Sequence, residues 1–95
     1  KQSLFINATA AWCLTCKVNE AVALNSDAFH GALREHHVTY VLADWTNRDP
    51  EITRLLQQHN RQGVPLYLYL PAGGKPVLLP QILTPGILVR ALGGK

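Results

Sequence analysis

Long apolar runs and blocks of charge are both missing from this sequence. No apolar run approaches the roughly 18 residues that span a membrane, and no signal peptide is recognisable among these residues. If the protein is exported or membrane-attached, we expect those parts to lie outside them. The net charge of +3 is scattered, without the basic stripe typical of nucleic-acid binding. Apolar residues make up 47% and charged residues 16%, which indicates an ordinary globular domain. We therefore expect one monomeric domain over residues 1–95 that binds no nucleic acid.

The sequence also has only two cysteines, and they lie three positions apart. Cys13 and Cys16 follow Trp12 at the point where a strand pattern gives way to a helical one. Two cysteines are too few for a disulfide-stapled scaffold, but this spacing is typical of a dithiol redox site. At a helix N-terminus the helix dipole favours a thiolate at Cys13. Our hypothesis is that Cys13 attacks a partner disulfide and Cys16, on the same face, resolves the product.

Two other interpretations of the cysteine pair are open. A zinc site needs four ligands, and a second cysteine pair is missing. The histidines could contribute, but His36, His37 and His59 fall at helix ends, where cations are favoured anyway. A static disulfide is the other interpretation, although closing so short a loop gains little stability. We favour the redox interpretation, with a redox-active Cys13–Cys16 disulfide, no metal and no bound cofactor.

Apolar periodicity, capping residues and turns predict an alternating order of strands and helices. Strands are predicted at 3–9, 38–44, 66–70 and 76–80, and helices at 13–24, 26–36, 50–60 and 86–92, the last ended by Gly93 and Gly94. The first three strands are joined through helices, so we expect them to be parallel, with the fourth antiparallel on a hairpin. The predicted fold class is α/β, a mixed sheet of about four strands flanked by helices.

This order resembles the thioredoxin fold, with Cys-x-x-Cys opening the first helix and Val-Pro before the third strand. The segments that carry a closer likeness are ATAAWCLTCKVNE (8–20), NSDAFHGAL (25–33), LADWTNRDPEI (42–52) and GVPLYLYL (63–70). They resemble the C-terminal periplasmic domain of DsbD-type thiol:disulfide interchange proteins. The chain departs from ordinary thioredoxins at Leu14 and Thr15, where Gly-Pro is usual. We expect a trimmed or minimal version of the fold, without the strand and helix that precede this first strand in a full thioredoxin.

The resemblance implies a function and a location. It implies a periplasmic, soluble domain of an inner-membrane protein, which relays electrons from a transmembrane dithiol to exported acceptor domains, including those of cytochrome c biogenesis. A free-standing thioredoxin or disulfide-isomerase-like protein is the alternative within the same class. A redox-inactive binding module with the same fold, or a metal-binding domain, is the alternative outside it.

The resemblance also implies roles for residues near the cysteines. It implies a cis bond between Val64 and Pro65 beside the thiols, with Val64 pairing to an incoming peptide backbone. From the residues alone, a trans proline that simply begins a strand is equally open. Trp12 is expected to shield the site and offer partners an apolar contact. For Trp45 and Tyr40 only packing is expected.

Two further residues have expected roles in tuning the thiols. Glu20 lies on the same helix face as Cys13 and Cys16, where a carboxylate would raise the thiol pKa values and could relay a proton. A solvated surface charge beside Lys17 is its alternative role. Asn7 is expected to be buried under the site, where relatives commonly carry aspartate. An amide lacks the negative charge of aspartate, so we expect a lower Cys13 pKa than in those relatives. It also cannot take a proton, so we expect slower resolution through Cys16.

Overall fold

The computed structural model of the protein describes residues 2–93 and contains four strands and four helices in that part of the chain. The elements are β1 (Ser3–Thr9), α1 (Leu14–Asn19) continuing as a π-helical segment (Glu20–Leu24), α2 (Asp27–Glu35), β2 (Val38–Asp44), α3 (Pro50–Gln58), β3 (Leu66–Leu70), β4 (Val77–Leu78) and α4 (Pro85–Gly93). The predicted α/β fold with a four-stranded mixed sheet is confirmed. Among the described residues, no helix is long and apolar enough to cross a membrane.

The sheet has the order β2-β1-β3-β4, so β1 is an interior strand. β1 and β2 are parallel, with Ser3 opposite Val38 and Thr9 opposite Asp44. β3 and β4 are antiparallel, as predicted for the hairpin. The carboxyl ends of β1 and β2 therefore lie side by side, and the segments that follow them leave the sheet at the same edge.

The predicted parallel orientation of the third strand is wrong. β3 runs antiparallel to β1, with Leu66 opposite Ala8 and Leu70 opposite Leu4. The reason is that α3 does not return along the sheet as a crossover helix does. Its Leu56 packs with Ala8 and Leu66 at the carboxyl end of β1, so the chain enters β3 at the end of the sheet where β2 finished.

Helices cover both faces of β1. On one face, Phe5 belongs to a buried cluster with Phe29 of α2, Tyr67 of β3 and Leu88 of α4. On the other face, the smaller cluster around Ala8 includes the α3 side chains. β1 is therefore covered on both faces, which fixes the strand that leads directly into the cysteine motif.

Local chemistry explains the helix boundaries. Ser26 caps α2 by accepting a hydrogen bond from the Phe29 N–H, and Asp49 caps α3 through the Glu51 N–H, with Pro50 following it. The predicted helix over 13–24 changes type at Glu20, whose carbonyl accepts from the Asn25 N–H five residues on.

The last two predicted elements differ from the structure in their ends. The strand predicted at 76–80 shrinks to Val77–Leu78 because prolines, which donate no backbone hydrogen bond, bracket it. The final helix was predicted over 86–92 and covers Pro85–Gly93. Its predicted end at Gly94 lies outside the described residues.

Candidate active site

The two cysteines form a disulfide at the start of α1. Cys13 is the N-cap residue, in an extended conformation, and its Sγ accepts a hydrogen bond from the Cys16 N–H at 3.2 Å. The Cα atoms are 5.3 Å apart. Cys13 retains 6% exposure whereas Cys16 retains 1%. An incoming molecule therefore reaches the Cys13 sulfur first, and the N-cap position places that sulfur where backbone N–H groups stabilise negative charge.

The disulfide lies between the end of β1 and the start of β3. The Cys13 N–H donates to the Ala10 carbonyl at 3.1 Å, which fixes the turn after β1. Val64 packs against the cluster of Ala10, Cys13 and Cys16. The Val64–Pro65 peptide bond is cis. The structure thus brings Cys13, Cys16 and the segment before β3 into one small site.

Contacts from the segment that follows β2 hold the Trp12 side chain in place. It is 51% exposed, and its indole Nε1 donates to the Thr46 carbonyl at 3.0 Å. The Thr46 hydroxyl also accepts from the Ala11 N–H at 2.9 Å. The Arg48 guanidinium lies 4.9 Å from the ring centres of both Trp12 and Trp45. This second segment fixes the exposed indole beside Cys13.

Sequence reasoning missed these supporting residues. Trp45 does pack in the core, donating through Nε1 to the Thr53 hydroxyl at 2.8 Å, but its ring also lies 5.9 Å from that of Trp12. Thr46 and Arg48 were not singled out at all. The available signal was the parallel pairing of β1 and β2, because the residues that follow two neighbouring parallel strands meet at one edge of the sheet.

Asn7 lies within the core on β1, as predicted. It is 1% exposed, and its Nδ2 donates to the Tyr40 hydroxyl at 2.7 Å, while its Oδ1 is buried without a partner among residues 2–93. Burial raises the pKa of the Tyr40 hydroxyl above its usual value, the hydrogen bond from Asn7 lowers it, and the Glu20 charge raises it. Tyr40 therefore stays protonated at neutral pH and has a polar as well as a packing role.

The Glu20 side chain extends from the π-helical segment to Thr9 at the carboxyl end of β1. Its Oε2 accepts from the Thr9 hydroxyl at 3.5 Å, and it lines a cavity of about 180 Å³ together with Lys17 and Asp44. Its charge contributes to the raised pKa of Tyr67, which burial raises most. The structure therefore places Glu20 in a polar zone with Thr9, Tyr40 and Asn7 on one face of the sheet, one helical turn from Cys16.

Asn19 is a buried site residue that sequence reasoning also missed. Its Nδ2 donates to the Tyr67 hydroxyl at 2.9 Å and to the Gln81 carbonyl at 2.7 Å, and its Oδ1 accepts from the Leu83 N–H at 3.0 Å. Asn19 thus makes three hydrogen bonds, each to a residue more than 45 positions further along the sequence. Asn19 ties the cysteine-bearing helix to β3 and to the segment before α4.

We expect Asn19→Ala to lower the free energy of unfolding by about 3 kcal/mol, because it leaves buried polar groups of Tyr67 and Leu83 without partners. Urea unfolding monitored by circular dichroism measures the change. Asn25→Ala is the control, since Asn25 is exposed near the end of the same helical segment and should change stability by less than about 0.5 kcal/mol. Equal unfolding midpoints for the two variants would contradict the role of Asn19.

Fold and site together define a class of protein. A four-stranded mixed sheet presents a disulfide at a helix N-terminus, beside a cis Val-Pro segment, with the first cysteine reachable from solvent. These are the features of a thiol–disulfide exchange domain. Within residues 2–93, no group of three His, Cys, Asp or Glu side chains is arranged to hold a metal ion.

The chain belongs to the thioredoxin-like family, since a family model described as thioredoxin-like matches residues 1–72. No curated protein matches it significantly. Its fold is similar to the oxidised C-terminal domain of DsbD from Neisseria meningitidis, with 21% identity and a TM-score of 0.76 over 98% of this chain and 79% of that chain. The reduced form of the same domain is similar too, with 21% identity and a TM-score of 0.75 over 99% of this chain and 81% of that chain. It is also similar to chloroplastic thioredoxin z (20%, 98% and 77%, TM-score 0.69).

The predicted resemblance to the fold of DsbD-type C-terminal domains is therefore confirmed. At these identities the structural likeness concerns the fold. Combined with the family match and the Cys13–Cys16 disulfide, it supports thiol–disulfide exchange with protein disulfides or dithiols as the chemistry of this site.

Proposed function

We propose that this domain is a protein-disulfide reductase that relays electrons by dithiol–disulfide exchange. Its electron donor is a membrane-embedded dithiol and its acceptors are exported proteins, including those of cytochrome c biogenesis. The domain acts in the periplasm as part of an inner-membrane protein. The observation that carries the proposed chemistry is the Cys13–Cys16 disulfide, with Cys13 at the helix N-cap and more exposed than Cys16. The likeness in fold to a DsbD C-terminal domain supports the proposed partners.

Each turnover moves two electrons. The Cys13 thiolate attacks one sulfur of the acceptor disulfide, forming a mixed disulfide and releasing the other acceptor sulfur as a thiolate. Cys16 then loses its proton and attacks the Cys13 sulfur. This step forms the Cys13–Cys16 disulfide and releases the second acceptor sulfur, which takes up a proton. The donor dithiol restores the reduced domain by the same two steps in reverse. The domain needs no bound cofactor or metal for this cycle.

The position of Val64 favours a protein acceptor. Val64 packs beside both cysteines and lies two residues before β3 begins at Leu66. Its backbone can pair with an extended segment of the acceptor in strand fashion, which holds the acceptor disulfide beside Cys13. Trp12 provides an exposed aromatic contact on the other side of the same sulfur.

Insulin reduction tests the activity. We expect the dithiothreitol-reduced domain to accelerate precipitation of insulin chains well above the rate with dithiothreitol alone, because Cys13 lies at a helix N-cap and is reachable. A Cys13→Ser, Cys16→Ser double variant is the control for non-specific effects. A wild-type rate equal to that of the double variant would favour a binding module. Zinc content after purification without chelator tests the metal-binding alternative.

Equilibration against glutathione measures the direction of electron flow. A reductase of this class should have a reduction potential towards the reducing end of the range from about −270 to about −120 mV. A potential at the oxidising end would contradict the role of reductant while leaving exchange activity in place. Reactivation of scrambled ribonuclease is a second test of exchange activity, because a redox-inactive binding module would not catalyse it.

A further inference from the structure

We infer that the outer face of the cysteine-bearing helix is a docking surface for an apolar segment of the redox partner, next to the partner's disulfide. This inference rests on the proposed function and specifies the chemistry of the partner. The surface, called the outer stripe here, consists of Leu14, Val18, Ala21 and Val22. It begins one residue after Cys13 and points away from the domain.

The outer stripe is exposed although its residues are apolar. Leu14 is 77%, Val18 51% and Val22 53% exposed, and Ala21 is exposed as well. Spacings of three and four residues place these side chains along one side of a helix. Single exposed apolar residues are common on proteins, but a contiguous row of them marks an interaction surface.

The other side of the same helical segment is already occupied by the core. Cys16, Asn19, Ala23 and Leu24 are buried. A helix that is apolar on its outer side as well as its inner side is typical of helices with packing partners on both sides. The domain supplies the inner partner, and no described residue packs on the outer side.

Charge supports a protein contact of apolar character. Between residues 14 and 25, Lys17 is the only charged side chain that is fully exposed, because Glu20 turns towards Thr9. A membrane-surface helix would instead carry several basic residues along its polar side. This exposed side carries no acidic side chain, so its charge does not complement a basic partner.

Continuity with the disulfide identifies the occupant as the exchange partner. The outer stripe runs about 12 Å along the helix axis from Leu14 to Val22. Trp12, on the other side of Cys13, is exposed too. A partner whose disulfide is opposite Cys13 therefore covers Trp12 and Leu14, and an apolar segment beside its disulfide extends over Val18 and Val22. Redox encounters often have small interfaces, so this extra contact has a measurable effect.

Ile82 is a further exposed apolar side chain in a segment bonded to the cysteine-bearing helix. It is 66% exposed and lies between Gln81 and Leu83, the two residues whose backbones Asn19 holds to the helix. The hydrogen bonds of Asn19 therefore keep this exposed apolar side chain close to the cysteine-bearing helix.

Exchange kinetics with two synthetic peptides test the inference. Each peptide carries one cysteine as a mixed disulfide with glutathione, followed by a helical segment. In the first peptide this segment has leucines along one side, and in the second these are serines. We expect the reduced wild-type domain to react about tenfold faster with the leucine peptide, corresponding to about 1.4 kcal/mol. Val18→Ser with Val22→Ser should remove this preference while retaining the wild-type rate with oxidised glutathione.

The control removes two exposed valines elsewhere, Val41→Ser with Val77→Ser, and should keep the preference. Equal wild-type rates with both peptides, or loss of the preference in the control, would overturn the inference and leave the exchange function intact. Dimerisation or binding to phosphatidylcholine vesicles that depends on Val18 and Val22, without a peptide preference, would overturn it too. If the wild type failed to react even with oxidised glutathione, the proposed function itself would be wrong.

Discussion

Cys16→Ser should accumulate mixed disulfides with protein substrates, whereas Cys13→Ser should form almost none. Cys13 is the reachable sulfur at the helix N-cap, and Cys16 is almost completely buried behind it. Without Cys16, the bond between Cys13 and the substrate has no nearby thiol to break it. Both variants should lose insulin reduction down to the background rate, since the catalytic cycle needs both sulfurs.

Non-reducing electrophoresis of each variant with oxidised insulin separates the two roles. The mixed disulfide should disappear on adding dithiothreitol, and the double variant should show no such band. The circular dichroism spectra of the variants should match that of the reduced wild type, because a serine fits either site. If Cys13→Ser alone trapped substrate, the order of attack would be the reverse of the one proposed.

Asn7→Asp should raise the pKa of the Cys13 thiol. Asn7 is 1% exposed on β1, and its Oδ1 has no partner among the described residues. A carboxylate at this position would add a negative charge within the core, on the strand that leads into the cysteine motif, and a nearby negative charge disfavours a second one. Once the new carboxyl group is ionised, we expect the Cys13 pKa to be higher by at least about one unit. At pH values well below the thiol pKa, a rise of that size lowers the thiolate fraction roughly tenfold.

Thiolate absorbance near the ultraviolet limit, followed across pH, measures the Cys13 pKa in both proteins. The new aspartate and the thiol titrate as a coupled pair, so the curves are fitted together. Asn25→Asp is the control, because it adds the same charge at an exposed position. An unchanged or lower thiol pKa in Asn7→Asp would contradict the prediction. The same variant should resolve its mixed disulfides faster, since a carboxylate can accept the Cys16 proton.

Local sequence signals were enough to predict most of the elements. β1, β2 and β3 have the predicted bounds because each is a short apolar run with clear turn residues around it. The predicted helices at 26–36 and 50–60 begin where Ser26 and Asp49 cap α2 and α3. The orientation of β3 was not predictable in this way. It depends on where α3 packs against the sheet, which is a long-range contact that no local pattern encodes.

The site residues also divide into those that the local sequence predicts and those that depend on long-range contacts. Cys13 and Cys16 were recognisable because their spacing and their position before a helix carry chemical meaning on their own. Asn19, Thr46 and Arg48 were not, because ordinary polar residues have no distinctive local pattern. Their importance comes from partners far along the chain, such as Tyr67 for Asn19 and Trp12 for the other two.

The tether between Trp12 and the segment after β2 has a consequence for protein engineering. The cysteine loop and its support come from separate parts of the chain, joined by the contacts of Thr46 and Arg48 with Trp12. Transplanting residues 12–17 alone into another scaffold would leave the indole without its anchor. Conversely, Thr46 and Arg48 offer positions for directed libraries that adjust the loop while both sulfurs stay untouched.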